Sequence, residues 1–287
     1  MNIRHVISNL HLVERNTKWW RSGLTVDQRL RYYPAMAASF ARMAVRRGRR
    51  VRYLGRDFAF DNPATPMNLQ VYCYEVARQI LSRVDPGDRI ESVLDVGANC
   101  GQFTVSLKHF LPRARVDAFE PNTAVLPLLA RNIEDLDEVR VFPCALSPTT
   151  VRTLYYEPRK SCAGSLIRQN AGPDRRVTPV AVTSADRVAA LTGRTDYDLV
   201  KVDVEGYEFE VLQCLAELRP RYLFLELSAG GRGRSYRHSQ IWDLLRGMFG
   251  EFDILSQDAY GHGSDTFDVL LGFARAASRS QVSRSAQ

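Results

Sequence analysis

Ser92-Val93-Leu94-Asp95-Val96-Gly97-Ala98-Asn99-Cys100-Gly101-Gln102 is the stretch on which the reading of this chain turns. Its first half is an apolar run interrupted by Asp95, the pattern of a buried strand. Its second half carries glycines at 97 and 101 and opens onto Phe103, Leu107, Phe110 and Leu111, a helical spacing that Pro112 stops. Gly97 permits a tight backbone turn, and Gly101 lets the helix start come close to a ligand. Free N–H groups and the positive dipole end at such a helix start favour anionic or acceptor groups.

Nineteen residues beyond Gly101 a second apolar run ends in Phe119-Glu120-Pro121-Asn122. An acidic residue at the end of the second strand is where a doubly wound fold hydrogen-bonds a ribose hydroxyl pair. A plain strand-to-helix turn capped by Asp95 would account for the loop alone; the loop with Glu120 at this distance points to a ligand. The spacing also selects among ligands. A diphosphate cofactor wants G-x-G-x-x-G, whereas this loop is Gly97-x-x-x-Gly101 directly after an acidic residue. That carboxylate would sit badly beside a diphosphate and suits a cationic cofactor such as S-adenosylmethionine.

Outward from the loop, strand patterns fall at Arg115–Glu120, Val139–Cys144, Val177–Val182, Asp198–Val204, Tyr222–Leu227, Phe252–Leu255 and Phe267–Phe273, with helical patterns between several of them. Such alternation predicts βαβ units and a mostly parallel sheet covered on both faces. Upstream, the apolar spacing of 69–84 predicts an amphipathic helix and Val51 to Phe60 a hairpin, before Asp85-Pro86-Gly87-Asp88 punctuates a boundary. The expected organisation is a basic, mainly helical extension over 1–88, a domain over 89–275 and a flexible tail over 276–287.

A second segment, Leu199-Val200-Lys201-Val202-Asp203-Val204-Glu205-Gly206-Tyr207-Glu208, places three charged residues in alternation in and after a buried strand. Val93 to Gly101 resembles the first motif of class I S-adenosylmethionine-dependent methyltransferases, and 199–208 resembles the hallmark of their FkbM family. The likeness covers about 90–275. It implies a Rossmann-like α/β fold with a mostly parallel seven-stranded sheet. It also implies a cofactor site at Asp95, Gly97, Asn99, Gly101, Glu120, Asn122, Cys144, Ala145 and Asp203, and methylation of hydroxyls on sugars, glycolipids or secondary metabolites.

Lys201, Asp203 and Glu205 share one side of their segment, and a buried charge there is expensive unless paired. A Lys201–carboxylate bridge, with Glu205 and Glu208 at the start of the next helix complementing its dipole, is the plain structural reading. Asp203, at the strand end, is the first candidate to orient or deprotonate an acceptor hydroxyl. Glu226 at the end of the next strand is second, with His238 and His262 in loops behind it. A Mg²⁺ held through Asp203, Glu205 and Glu226 is the less favoured alternative, since no dense carboxylate cluster such as DxD is present. His5 and His11 lie outside the fold, and His109 reads as a surface or packing residue. Two loops, 161–176 and 229–238, mix glycine or serine with arginine and are expected to form the acceptor side.

Composition narrows the partners. The net charge is +7, yet residues 1–57 alone carry +10, leaving the rest at −3. Arg outnumbers Lys 35 to 4. The basic segment, with Trp19, Trp20 and Tyr32, could track phosphates in an RNA or DNA methyltransferase. The end of the fourth strand, Asp203-Val204-Glu205-Gly206, lacks the Pro-Pro-aromatic element that resembles base N-methylases, so nucleic acid is disfavoured. The segment suits an acceptor cap or contact with an anionic membrane surface. A non-catalytic binding module is the remaining alternative. Five cysteines without CxxC spacing, no apolar run of roughly 20 residues and no secretory leader pattern predict a cytoplasmic enzyme.

Overall fold

A computed structural model describes residues 50–60, 69, 71–73, 75–150, 153–157, 160–167, 175–227, 236–259 and 266–273. The expected extension before residue 50, with Trp19, Trp20, Tyr32, His5 and His11, lies outside them, as do His262, most of the 229–238 loop and the tail.

The central sheet has seven strands: β3 (Ser92–Val96), β4 (Arg115–Phe119), β5 (Val139–Phe142), β11 (Asp196–Val202), β12 (Arg219–Leu227), β13 (Phe252–Ala259) and β14 (Phe267–Phe273), in the order β13-β14-β12-β11-β3-β4-β5. All run parallel except β14, which pairs antiparallel with β12 and β13. This is the mostly parallel α/β sheet expected of the Rossmann-like class. Helices α2 (Gln102–Phe110) and α3 (Leu126–Asn132) serve one face; α4 (Ala185–Thr192), α5 (Glu208–Gln213) and α6 (His238–Phe249) serve the other.

Period-two alternation divides the strand residues between these layers. Val93, Leu199, Phe224 and Leu270 pack under α2, while Leu94, Val200, Val202, Leu223 and Leu225 pack against Val211, Leu212, Ile241 and Leu245. The described part of the upstream segment joins the α2–α3 face. The hairpin β1 (Arg50–Tyr53) and β2 (Arg56–Ala59) is present, turning at Leu54 and Gly55, both at positive φ as a two-residue hairpin turn requires. Its Val51, Phe58 and Phe60 share a core with Cys100, Val105 and Leu129. The helix expected over 69–84 is found as helical residues at 69 and 71–73 followed by α1 (Glu75–Ile80). Its turn is wide: the Leu81 N–H donates to Val76 O, five residues back, at 2.8 Å.

Three expectations are corrected. The strand read as Val139–Cys144 breaks at Pro143, which has no N–H to donate. Cys144–Leu146 (β6) instead pairs in parallel with β10 (Ala181–Thr183) outside the main sheet. The strand read as Val177–Val182 is likewise two: β9 (Arg176–Pro179) pairs with β7 (Thr153–Glu157), and Pro179 marks the change of partner. Finally, 161–165 of the expected acceptor loop belong to a strand, β8 (Lys160–Ser165), paired antiparallel with β7. Serine and glycine there had signalled a loop; the ladder to Thr153–Glu157 overrides that local preference.

Candidate active site

The loop after β3 is held from both sides. Gly97 N–H and Ala98 N–H both donate to Phe119 O at the end of β4, at 3.0 and 3.1 Å. Gly97 has φ +83, and a Cβ there would fall 1.9 Å from the carbonyl oxygen of Asp203. Asp203 N–H in turn donates to Val96 O at 3.2 Å, so the ends of β3 and β11 are hooked together. At Gly101, with φ +89, the missing Cβ leaves room for Leu129 of α3, whose Cδ1 would lie 3.1 Å from it. Asn132 of α3 completes the support. It donates to Cys100 O and Ala59 O at 2.7 and 2.8 Å and accepts from Ala59 N–H at 2.7 Å. Nothing in the sequence marks Asn132; its three partners come from a hairpin and a loop distant along the chain.

The two ends of the Glu120 carboxylate are fixed by backbone N–H groups, Asn99 on Oε2 and Asn122 on Oε1, each at 2.7 Å. Asn99 reaches this position at φ +51. Glu120, Asn99 and Asn122 line a cavity of about 300 Å³, together with Gly97, Cys144, Ala145, Asp203 and Glu226. That volume lies at the small end of cofactor and ligand sites. The cavity therefore gathers eight of the sequence-predicted site residues. Asp95, Gly101 and His238 lie outside its lining. Asp95 is fully buried beneath the loop, accepting from Thr104 Oγ1 at 2.7 Å. His238 begins α6, its ring against the edge of Phe267 at 5.0 Å.

Under the cavity runs a row of charges across the sheet. Lys201 stands directly opposite Asp95 in the β11–β3 register, and Glu226 opposite Asp268 in β12–β14. All four share the face that carries Val93, Leu199, Phe224 and Leu270. Lys201 Nζ lies 3.4 Å from Asp95 and 3.3 Å from Asp203, and donates to Gly97 O at 3.1 Å. Burial opposes its charge, but Asp203, then Asp95 and Glu75, outweigh that and push its pKa above the ordinary lysine value. Past β11 the chain turns at Glu205 and Gly206, both at positive φ, into α5. Glu208 there is buried and accepts from Gly206 N–H at 2.8 Å and from the Tyr236 hydroxyl. Ser165, at the end of β8, donates to Glu205 O at 2.9 Å. The expected Lys201–carboxylate bridge is thus present, joined by a second bridge to Asp95.

The sequence reading missed Lys201 as part of the cavity wall, and also Tyr72 and Glu75 from the upstream helix and Leu154 and Leu166 from the β7–β8 region. Periodicity does flag the helix, but its wide turn shifts which residues face inward. Among the described residues no cluster of three His, Cys, Asp or Glu side chains is arranged to hold a metal ion.

Crowded carboxylates, Glu120 and Glu208 buried and Glu205 half-buried, hold their protons tightly. Burial pushes Glu120 up to about 7, against the opposing N–H donors of Asn122 and Asn99. Burial, then Asp203 and Glu208, push Glu205 up to about 8. Burial, opposed by Tyr236 and Gly206, leaves Glu208 at about 7. Each binds its proton more tightly folded than unfolded, so the stability it lends is full below the unfolded value of 4.5 and lost as pH rises through the folded one. The melting temperature of the ligand-free protein is therefore expected to fall between about pH 5 and pH 8. Scanning calorimetry across that range checks it, and a flat or rising melting temperature would contradict it.

The methyltransferase FkbM domain matches residues 95–249 of this chain. Methyltransferase 1 of Beauveria bassiana (strain ARSEF 2860) is 26% identical over 181 residues, 55% of this chain and 72% of that protein. The 2-O-methyltransferase NoeI of Sinorhizobium fredii (strain NBRC 101917 / NGR234) is 25% identical over 173 residues, 54% of this chain and 69% of its own length. Among solved structures, the pyocyanin biosynthetic protein PhzM aligns with a TM-score of 0.43 at 15% identity, over 74% of this chain and 56% of that one.

Proposed function

The chain belongs to the FkbM methyltransferase family, and on that premise we propose that it transfers a methyl group from S-adenosylmethionine to a hydroxyl of a small molecule such as a sugar, glycolipid or secondary metabolite. The observation that carries this reading is the cavity at the strand ends, where a ribose-type carboxylate and an acidic floor meet in one enclosure. Two features fit the cofactor. Glu120 is pre-positioned by two backbone N–H groups and keeps lone pairs for hydroxyl donors. Asn122 Nδ2 is buried beside it with no hydrogen-bond partner, a donor awaiting an acceptor atom.

In this reading Gly97, Asn99, Glu120, Asn122, Cys144 and Ala145 hold the cofactor, which supplies an electrophilic methyl group on a positively charged sulfur. Asp203 and Glu226 orient the acceptor hydroxyl. Holding acceptor oxygen, methyl carbon and sulfur in line supplies much of the acceleration in such a displacement. That the relative NoeI is a 2-O-methyltransferase supports oxygen as the methylated atom. The basic segment before residue 50 is proposed to cap the acceptor or rest on an anionic membrane surface. Among the described residues no helix is long and apolar enough to cross a membrane.

The test has two stages. Calorimetry with S-adenosylmethionine should show binding that Glu120→Gln weakens about tenfold or more, in line with the loss of a hydrogen bond to a charged group. A panel of hydroxylated sugars, glycolipids and natural-product scaffolds should then yield an O-methylated product by mass spectrometry. Wild-type binding by Glu120→Gln would remove the cofactor assignment, and products methylated only on nitrogen or carbon would remove the acceptor class.

A further inference from the structure

The helix that precedes the matched domain contributes Glu75 to the cavity wall, and its side chain is only 4% exposed. The polar row under the cavity explains why a carboxylate there matters. From β3, β11 and β14 respectively, Glu75 is faced by Asp95, by Lys201 with Asp203 just past the strand, and by Asp268. On its own helix Gln79 donates to Asp258 at 3.0 Å and to Asp268 at 3.4 Å, and leaves its own Oε1 buried without a partner.

The carboxylates around the cavity differ in what already holds them. Asp203 sits against Lys201. Glu120 accepts two backbone N–H groups, and Glu208 accepts Gly206 and Tyr236. Glu205 and Glu226 also have partners. A carboxylate already fed by donors or an ammonium is a weak proton acceptor. The charges that act on Glu75 are those of Asp268, Asp203 and Asp95 and of one lysine, Lys201.

We infer that Glu75 is the group that receives the acceptor's proton during methyl transfer, and that the positive charge of the bound cofactor is what readies it. This rests on the cofactor reading given above. Burial first, then Asp268 and Asp203, raise the Glu75 carboxyl well above the ordinary glutamate range, so the cofactor-free site favours its protonated form. A cation placed in the cavity favours the ionised form, and the proton leaves to solvent. The acceptor oxygen then bonds to the methyl carbon as the carbon–sulfur bond breaks with its electron pair on sulfur, and the hydroxyl proton passes to Glu75. The cationic sulfonium has become a neutral thioether, so the regained proton on Glu75 matches the restored charge balance. The wide turn of α1 fits this role, since such turns recur at functional sites.

The test compares S-adenosylmethionine with its neutral product S-adenosylhomocysteine, by titration calorimetry near neutral pH in buffers of different ionisation enthalpy. The wild type should release more protons on binding the sulfonium than on binding the thioether. Glu75→Gln should lose that excess while binding S-adenosylhomocysteine as the wild type does. With an acceptor found by the panel, kcat should fall about 10²–10³-fold, the KM for S-adenosylmethionine should rise because an ionised Glu75 by linkage favours the sulfonium, and the rising limb of the pH profile should vanish. Should Glu75→Gln not fold, Asp268→Asn removes the charge that most strongly holds the Glu75 proton. The excess release should then shrink and the rising limb move to lower pH. Retention of the excess by Glu75→Gln, or an equal change in affinity for both ligands, overturns the proposal. If the wild type binds neither ligand, the cofactor reading itself fails, and the proposal goes with it.

Discussion

Gly97→Ala is expected to abolish measurable binding of S-adenosylmethionine and to destabilise the fold by more than about 3 kcal/mol. Two effects add. An L-residue at φ +83 is strained by about 1–2 kcal/mol. The new Cβ would also lie 1.9 Å from the carbonyl oxygen of Asp203, which is backbone and cannot swing aside as a side chain would. Relief requires β3 and the turn after β11 to separate, breaking the Asp203 N–H bond to Val96 and displacing Asp203 itself. Gly193→Ala separates the two effects. Its φ is +70, but the space around its Cβ position is open, so only the strain of about 1–2 kcal/mol is expected. Chemical denaturation and calorimetry on both variants test this. Equal losses in the two would show that conformational strain, not the contact with Asp203, governs the loop.

Lys201→Met is the second large effect, a loss of about 3–5 kcal/mol, typical of breaking a buried pair by removing one partner. Lys201 is 2% exposed and stands between Asp95, fully buried, and Asp203. Its removal leaves carboxylates in the core with no cation, and Asp95 Oδ1 already has no hydrogen-bond donor. Asp95→Asn in the Lys201→Met background should recover part of the stability, because the double variant removes both charges of one pair. A double-mutant cycle by urea denaturation measures the coupling. A Lys201→Met protein as stable as the wild type would mean that the row of carboxylates needs no buried cation.

How much of this was legible in the chain depends on the distance over which each residue finds its partner. The alternation Lys201-x-Asp203 is local, so its shared face and its ion pair could be read directly. The pairing of Lys201 with Asp95 requires β11 to lie beside β3, an adjacency of strands far apart in sequence, and no local pattern announces it. Asp95 was accordingly read as facing the ligand, although its place in a central strand sets it under the loop. The place of Glu120 at the cavity was legible because it follows from strand-end position alone. Pro143 and Pro179 carried the signal that two strands were really four, but an apolar run masks a change of partner unless the missing N–H is counted. Glu75 sits beside Val76 on a helix whose wide turn departs from the 3.6-residue period, so periodicity could not assign it to the cavity.

The link from Gln79 to Asp258 and Asp268, with Ser256 donating to Gln79 O at 3.2 Å, spans 177 to 189 residues. Such long-range closure is slow, because loop entropy must be overcome before the contact forms. During synthesis the helix bearing Glu75 emerges well before β13 and β14, the strands that anchor it. The acidic wall of the cavity is thus assembled only after β13 and β14 have been made. Until β13 and β14 arrive, Val76 and Ile80 lack part of their packing partners, among them Leu255 and Leu270, and that apolar helix face stays partly uncovered.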